Sequence, residues 1–325
     1  MMITIQVLQV PAVVPEAYWD LFLSSVAEER RAQAARFIHQ ADAYRSVLGE
    51  VLTRVTLSEL TGLPRKELSF SRNAYGKPCL VANPKIAFNV SHSGDWIALI
   101  SGGTAELGVD VEKIAPIDLQ IAERFFSTKE NTYLAAQPAE QQVTTFYRLW
   151  TLKESYIKAI GTGLSLPLDS FAILPSEGSE GNKVGDDLQW RCTQTGHTEL
   201  TGQLEQGEPS LDSSDVFRLT DRYDGANAGN IDAAHRNALQ VASDAGGMLD
   251  AGNVIGAGDT RELTQWRTAS SQNTRVMHHR FYSQPLDAQH ILAACTAKGE
   301  LPKKPEIVTL DQIYTKLCNA AHAEL

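Results

Sequence analysis

Four residues in two short stretches carry the most specific chemistry in this 325-residue chain. In Leu107-Gly108-Val109-Asp110-Val111-Glu112-Lys113, apolar and polar positions alternate, which predicts a strand. Alternation puts Asp110 and Glu112 on one face, two residues apart. Downstream, Leu149, Leu152, Tyr156 and Ile157 recur near helical spacing. On that helix Glu154 and Lys158, four residues apart, stand side by side. A strand–helix junction would therefore gather three carboxylates and one ammonium. Hard carboxylate oxygens suit Mg²⁺, which keeps water or substrate phosphate in its remaining positions. A lysine one turn from the third carboxylate suits a charged phosphate oxygen. The chemistry predicted is phosphoryl-type transfer from a diphosphate donor. Taken singly, Asp110 and Glu112 read as ordinary polar strand positions, and Glu154 with Lys158 as a solvated ion pair. Their combination in one chain favours the site.

The elements that must position these residues follow from patterning. A strand near 2–9 precedes a helical pattern over 16–38 and a second helix from about 41 to 61, ending at Thr61-Gly62 before Pro64. Short strands are expected near 68–70, 79–81, 86–90 and 96–101. Gly102-Gly103 punctuates the chain, so the boundary falls there, with one half at 1–103 and another at 104–325. The second half opens on a strand at 106–112. Helices are expected at 118–125, 128–135 and 140–160, strands near 171–174, 277–283 and 290–296, and a last helix at 310–322.

Further stretches in this order complete a resemblance. They include Phe37-Ile38-His39-Gln40-Ala41-Asp42-Ala43-Tyr44-Arg45, Gly76-Lys77-Pro78, Phe88-Asn89-Val90-Ser91-His92-Ser93, Arg124-Phe125-Phe126-Ser127-Thr128-Lys129-Glu130, Gly161-Thr162-Gly163-Leu164 and Leu168-Asp169-Ser170-Phe171. Together with the two acidic motifs they resemble 4′-phosphopantetheinyl transferases of the single-chain, surfactin-synthetase-activating type. The resemblance covers about 3–174 and resumes near 276–315. It implies an α/β (α+β) fold of two similar halves in pseudo-two-fold arrangement, with the active site in the cleft between them. It implies transfer of the phosphopantetheine arm of coenzyme A to a serine of acyl or peptidyl carrier proteins. Adenosine 3′,5′-bisphosphate would leave, with Mg²⁺ bridging the diphosphate.

By the same resemblance Asp110 and Glu112 bind Mg²⁺, and Glu154 binds it or accepts the serine proton. Lys158 neutralises the diphosphate. Ser91 and His92 belong to the coenzyme-A-contacting block, with His92 at a phosphate. Arg30, Arg45 and Lys77 are candidates for the 3′-phosphate and adenine side, since the forked donors of arginine match phosphate. Gln33 stands where the family often has a basic residue, and Arg31 or Arg36 could compensate. Glu130 resembles an acidic residue near the metal, or is a helix-start charge favoured by the dipole. Lys153 reads as a weaker candidate or a surface charge. Phe125, Phe126, Leu134 and Tyr147 resemble the region that meets the carrier, or pack in the core.

Other classes fare worse. Ser91 and His92 are adjacent on a strand and face opposite ways, and no Gly-x-Ser-x-Gly elbow is present. The common phosphate loop of nucleotide enzymes is missing. No basic stripe supports nucleic-acid binding. A silent carrier-binding module with this fold has no need of the acidic set.

Composition sets the remaining bounds. The hydrophobic fraction is 43% and four cysteines are widely spaced, consistent with a reducing cytoplasm. No apolar run reaches ~18 residues, and the N-terminus reads as a strand rather than a signal peptide. Both halves on one chain suggest a monomer. Of the net charge of −10, residues 176–275 carry −8, leaving the remainder nearly neutral. That segment also holds thirteen of the 23 glycines. Its composition predicts a largely disordered insertion, with Trp190, Phe217 and Trp266 anchoring its ends or short strands.

Overall fold

A computed structural model describes residues 2–103, 106–176, 189–194 and 275–323. It is built from two layers of sheet with a long helix on each outer face. The first sheet has the order β12-β1-β5-β4, from β1 (Thr4–Gln9), β4 (Ala87–Ser93), β5 (Trp96–Gly102) and β12 (Glu306–Val308). The second has the order β10-β11-β6, from β6 (Leu107–Lys113), β10 (Arg280–Asp287) and β11 (His290–Thr296). A two-residue period explains the layering. In β5, Ile97 and Leu99 face the first helical core, while Ala98 and Ile100 join Val109, Val111, Leu292 and Ala294 between the sheets.

Helix α3 (Gln40–Thr61) covers the first sheet and α6 (Ala139–Ile160) covers the second. Both run 22 residues and both stop at a left-handed glycine, Gly62 at φ 73° and Gly161 at φ 78°. Each half thus repeats one plan, a three-stranded antiparallel core under one long helix. The helical pattern expected over 16–38 is two helices, α1 (Glu16–Ser24) and α2 (Glu28–Ala34). The expected helices near the acidic motifs are α4 (Ile121–Phe125) and α5 (Thr128–Ala135), which precede α6. A small hairpin of β2 (Phe70–Arg72) and β3 (Pro78–Leu80) stands beside the seam of the halves.

The boundary drawn from sequence assigns the C-terminal segment to the wrong half. The C-terminal segment does not pack with the second half. β12 pairs in parallel with β1, and helix α7 (Leu310–Ala323) places Ile313 and Leu317 in the core under α3. Trp190, expected to anchor an end or a short strand of the insertion, opens such a strand. Residues Trp190–Gln194 form β8, which pairs with β7 (Phe171–Pro175) and with β9 (Arg275–Met277). Trp190 and Cys192 are buried in the second core, so a deletion of 180–270 would remove a core strand. Phe217 and Trp266 lie outside the described residues, as does most of the expected insertion. No helix of the described residues is long and apolar enough to cross a membrane.

The approach of α6 to β6 depends on Gly108. A Cβ there would stand 2.0 Å from the Ser155 carbonyl oxygen and 2.4 Å from the Ala159 nitrogen, both backbone atoms of α6. Gly108→Val should therefore force the helix off the strand and cost more than about 3 kcal/mol, seen as a large fall in melting temperature. A melt within a degree or two of the parent would show that the contact is not needed.

Candidate active site

The seam between the halves is where β4 meets β6. These strands belong to different sheets, and side chains join them. The Asn89 amide oxygen accepts from the Val109 N–H at 2.9 Å, and Ser93 Oγ accepts from the Lys113 N–H at 3.1 Å. Ser91 Oγ lies 3.5 Å from the Val111 nitrogen. The alternation Asn89, Ser91, Ser93 puts all three polar groups on one side of β4. They satisfy N–H groups of β6 that a ladder would otherwise pair.

The same hydroxyls reach the acidic residues. Ser91 Oγ donates to Asp110 Oδ1 at 2.9 Å, and Ser93 Oγ donates to Glu112 Oε2 at 2.8 Å. From α6, Lys158 Nζ donates to Asp110 Oδ1 at 2.7 Å and to Ser91 Oγ at 3.0 Å. Asp110 is 0% exposed, Glu112 6% and Glu154 2%, so three carboxylates are buried at this junction. Glu154 and Lys158 share one wall of a cleft with Ile157. Tyr75, Gly76, Lys77 and Pro78 of the β2–β3 hairpin form the opposite wall, and Asn89 to His92 lie between.

A second hollow adjoins this cleft, and Pro78, Val90 and His92 line both. Its wall holds Arg30, Arg45, Arg54 and Arg72 beside Phe70 and Phe88. Several of these charges are tied in place. Arg30 Nε bonds Glu50 at 2.9 Å, and its other donors reach Gln33 and Ser46. Arg54 bonds the second oxygen of Glu50 at 2.7 Å. Burial would raise the Glu50 carboxyl, but the bonds from Arg30 and Arg54 outweigh it and hold it below its ordinary value. Arg45 bonds Asp42 and donates to the Gly94 carbonyl at 2.8 Å. Four guanidiniums against Glu50 and Asp42 leave the hollow cationic. Arg54 and Arg72 were not singled out from sequence; Arg54 lies one helical turn from Glu50 on the same face, and that spacing was the signal.

Lys77 and Lys153 are placed otherwise than expected, and Glu130 takes the second of its two readings, the helix-start charge. The Lys77 ammonium turns from the cleft into the protein. It donates to the Leu107 carbonyl at 3.0 Å and to the Ala159 carbonyl at 2.7 Å, stapling the end of α6 to the start of β6. Burial lowers its pKa from 10.5 to about 8. Lys153 is not a surface charge: it is fully buried and paired with Glu130 at 2.6 Å, donating also to the Phe171 carbonyl at 2.7 Å. Burial lowers the Lys153 pKa, and the Glu130 carboxylate opposes that shift. Glu130 in turn closes the capping box of α5 with Ser127 and accepts from the Ile173 N–H at 2.9 Å. It serves this buried knot rather than the Asp110–Glu112 cluster. Phe126, Leu134 and Tyr147 are core residues, and Phe125 packs on Trp150.

The donor set at the junction fits Mg²⁺ in kind, being buried, oxygen-only and anionic. It is not a closed cage, since among the described residues no group of three His, Cys, Asp or Glu side chains is arranged to hold an ion. Mg²⁺ is commonly held by one or two carboxylates with substrate phosphates completing its shell.

The sequence matches known proteins along both halves. Residues 106–206 match a family model described as the 4′-phosphopantetheinyl transferase superfamily, and 14–104 match one described as 4′-phosphopantetheinyl transferase, N-terminal. The 4′-phosphopantetheinyl transferase Sfp of Bacillus subtilis (strain 168) is 45% identical over 154 residues, which is 47% of this chain and 68% of that protein. The 4′-phosphopantetheinyl transferase gsp of Aneurinibacillus migulanus is 38% identical over 172 residues, 53% of this chain and 71% of that one. The human L-aminoadipate-semialdehyde dehydrogenase-phosphopantetheinyl transferase is 32% identical over 165 residues, 47% of this chain and 53% of that protein.

Two tests follow from the buried lysines. Glu130→Ala should strand the Lys153 charge and cost about 3–5 kcal/mol, read by chemical denaturation. A loss under 1 kcal/mol would show the knot is dispensable. For Lys77 the folded pKa lies below the unfolded one, so the unfolded chain holds more protons between about pH 8 and 10.5. Its contribution to stability therefore rises with pH across that window. The melting temperature of the parent minus that of Lys77→Met should grow from pH 8 to pH 10; a flat difference would place the amine in solvent.

Proposed function

The chain belongs to the 4′-phosphopantetheinyl transferase superfamily, and on that premise we propose that it moves the phosphopantetheine arm of coenzyme A onto a serine of acyl or peptidyl carrier proteins. The observation that carries this reading is a cleft lined by Glu154 and Lys158, with Lys158 bonded to buried Asp110, that adjoins at His92 an arginine-lined hollow. A molecule with a diphosphate at one end and a 3′-phosphorylated nucleoside at the other suits that layout. In this reading the nucleoside end lies by Arg30 and Arg45, with His92 and Ser91 along the phosphates. The first half then binds coenzyme A and the second supplies the acidic set.

The reaction forms a bond from the serine oxygen to the β-phosphorus and breaks the bond from that phosphorus to the bridging oxygen. Adenosine 3′,5′-bisphosphate leaves with the electron pair. Asp110 and Glu112 would hold Mg²⁺, with Glu154 available as a third oxygen donor. Bound there, Mg²⁺ supplies positive charge to the diphosphate oxygens. Lys158 hands its ammonium from Asp110 to the departing phosphate, which gains charge as the bond breaks. The serine proton passes to a carboxylate, and Glu154 lines the cleft one helical turn from Lys158. Buried Ser91 and Ser93 keep Asp110 and Glu112 aimed, so little reorganisation is needed. The substrates this reading favours are carriers of non-ribosomal peptide or polyketide synthesis, modified in the cytoplasm by a monomer.

The decisive test incubates a purified apo-carrier protein with this protein, coenzyme A and Mg²⁺, and reads the carrier by mass spectrometry. One phosphopantetheine mass should appear, and EDTA should abolish it. Asp110→Ala should slow transfer by roughly 10²-fold or more while keeping a near-parent melt. A near-parent rate in that variant, or full activity in EDTA, would overturn the metal assignment.

A further inference from the structure

A second polar knot lies at the far end of the seam, outside the acidic cluster. His290 opens β11 opposite Lys113 of β6 and is 2% exposed. Its Nδ1 lies 2.9 and 3.0 Å from the two oxygens of Asp287. Asp287 is itself anchored by the Trp96 indole N–H at 2.8 Å and the Gln289 N–H at 2.7 Å. Burial would raise the Asp287 carboxyl, but these bonds outweigh it and pull it to about 2, so it stays an ionised acceptor for the imidazole. The ring is therefore fixed in tautomer and direction, with Nδ1 donating.

The other ring nitrogen is what the knot aims. Nε2 is buried without a hydrogen-bond partner among the described residues. It points at Gly94, in the turn between β4 and β5. A Cβ on Gly94 would stand 2.3 Å from Nε2 and 2.9 Å from Cδ of Lys113. The ring thus occupies the space a side chain would need, and Gly94 adopts a left-handed φ of 53°. This turn belongs to the first half, while Asp287 and His290 belong to the second. The Gly94 carbonyl accepts the Arg45 guanidinium at 2.8 Å. A chain of contacts therefore runs from Asp287 through His290 and Gly94 to a cation of the hollow.

We infer that His290, held by Asp287, is a positioning residue that seats the Gly94 turn and thereby aims Arg45 at the phosphorylated nucleoside of coenzyme A. This rests on the reading of the arginine hollow given above. The ring does not line the cleft between α6 and the β2–β3 hairpin, and its hydrogen bonds go to Asp287. Its loss should weaken capture of coenzyme A and leave the bond-making step and the carrier unaffected.

The test is steady-state transfer on the full chain, varying coenzyme A at saturating carrier and then the reverse. His290→Ala should raise the KM for coenzyme A by roughly tenfold, keep kcat within about twofold, and leave the carrier KM unchanged. Combined with Arg45→Ala it should add little, because both changes act through one contact chain. Asp287→Asn, at a side chain 36% exposed, opens no cavity and should move the same KM in the same direction should His290→Ala fold poorly. An unchanged coenzyme A KM in both His290→Ala and Asp287→Asn, with a raised one in Arg45→Ala, would overturn the positioning role alone. An unchanged KM in Arg45→Ala would overturn the assignment of the hollow and this route with it. A fall in kcat at constant KM would also overturn it.

Discussion

The structure depends on a seam that has no backbone ladder. β4 and β6 end two separate sheets, and their edges meet through Asn89, Ser91 and Ser93. A sheet edge left with bare N–H groups in the interior would be costly. Here serine and amide oxygens take the place of carbonyls. Because hydroxyls also donate, Ser91 and Ser93 can face two ways, accepting from β6 backbone and donating to Asp110 and Glu112. The atoms that close the fold are thus the atoms that orient the acidic cluster. The acidic cluster is therefore held at the meeting of the halves rather than within either.

Burying three carboxylates needs compensation, and the protein arranges it with unequal partners. Lys158 reaches Asp110 from a side chain 10% exposed, at the edge of the cleft. Lys153, five residues earlier on the same helix, points into the core and pairs with Glu130 at 0% exposure. The two lysines of α6 therefore divide the labour. One locks α6 to α5 and β7 through charge, a helix cap and two backbone groups. The other stays at the water boundary, lining the cleft. Buried pairs of the first kind rarely add net stability, yet they are strongly destabilising to break.

Packing sets the distance over which this chemistry works. Gly108 lets α6 rest on β6 backbone to backbone, and Lys77 ties the last turn of α6 to the first residue of β6. The hairpin carrying Lys77 is fixed by Asn73, which donates to the Gly161 carbonyl at 2.9 Å. One wall of the cleft is thereby fastened to the other. The return of β12 and α7 to the first half adds a second tie, since residues after β11 must cross the seam to reach β1.

The periodicities alone determined the long helices, the alternating strands and the shared face of Asp110 and Glu112. They did so because those features follow from local geometry, a period of two or of 3.6 that any burial must respect. The glycine stops after α3 and α6 were readable for the same reason. What the tertiary structure decided were partners. Lys77, Lys153 and Glu130 carry the residue types of a phosphate and metal site, yet the fold commits them to carbonyls and to one another. Charge in a sequence has no address until burial assigns its counter-charge. The same holds for β12 and α7, whose pattern marks a strand and a helix without saying which sheet they complete. It holds also for Asp287 and His290, unremarkable in the chain, which gain a direction only where the second half closes on the turn at Gly94.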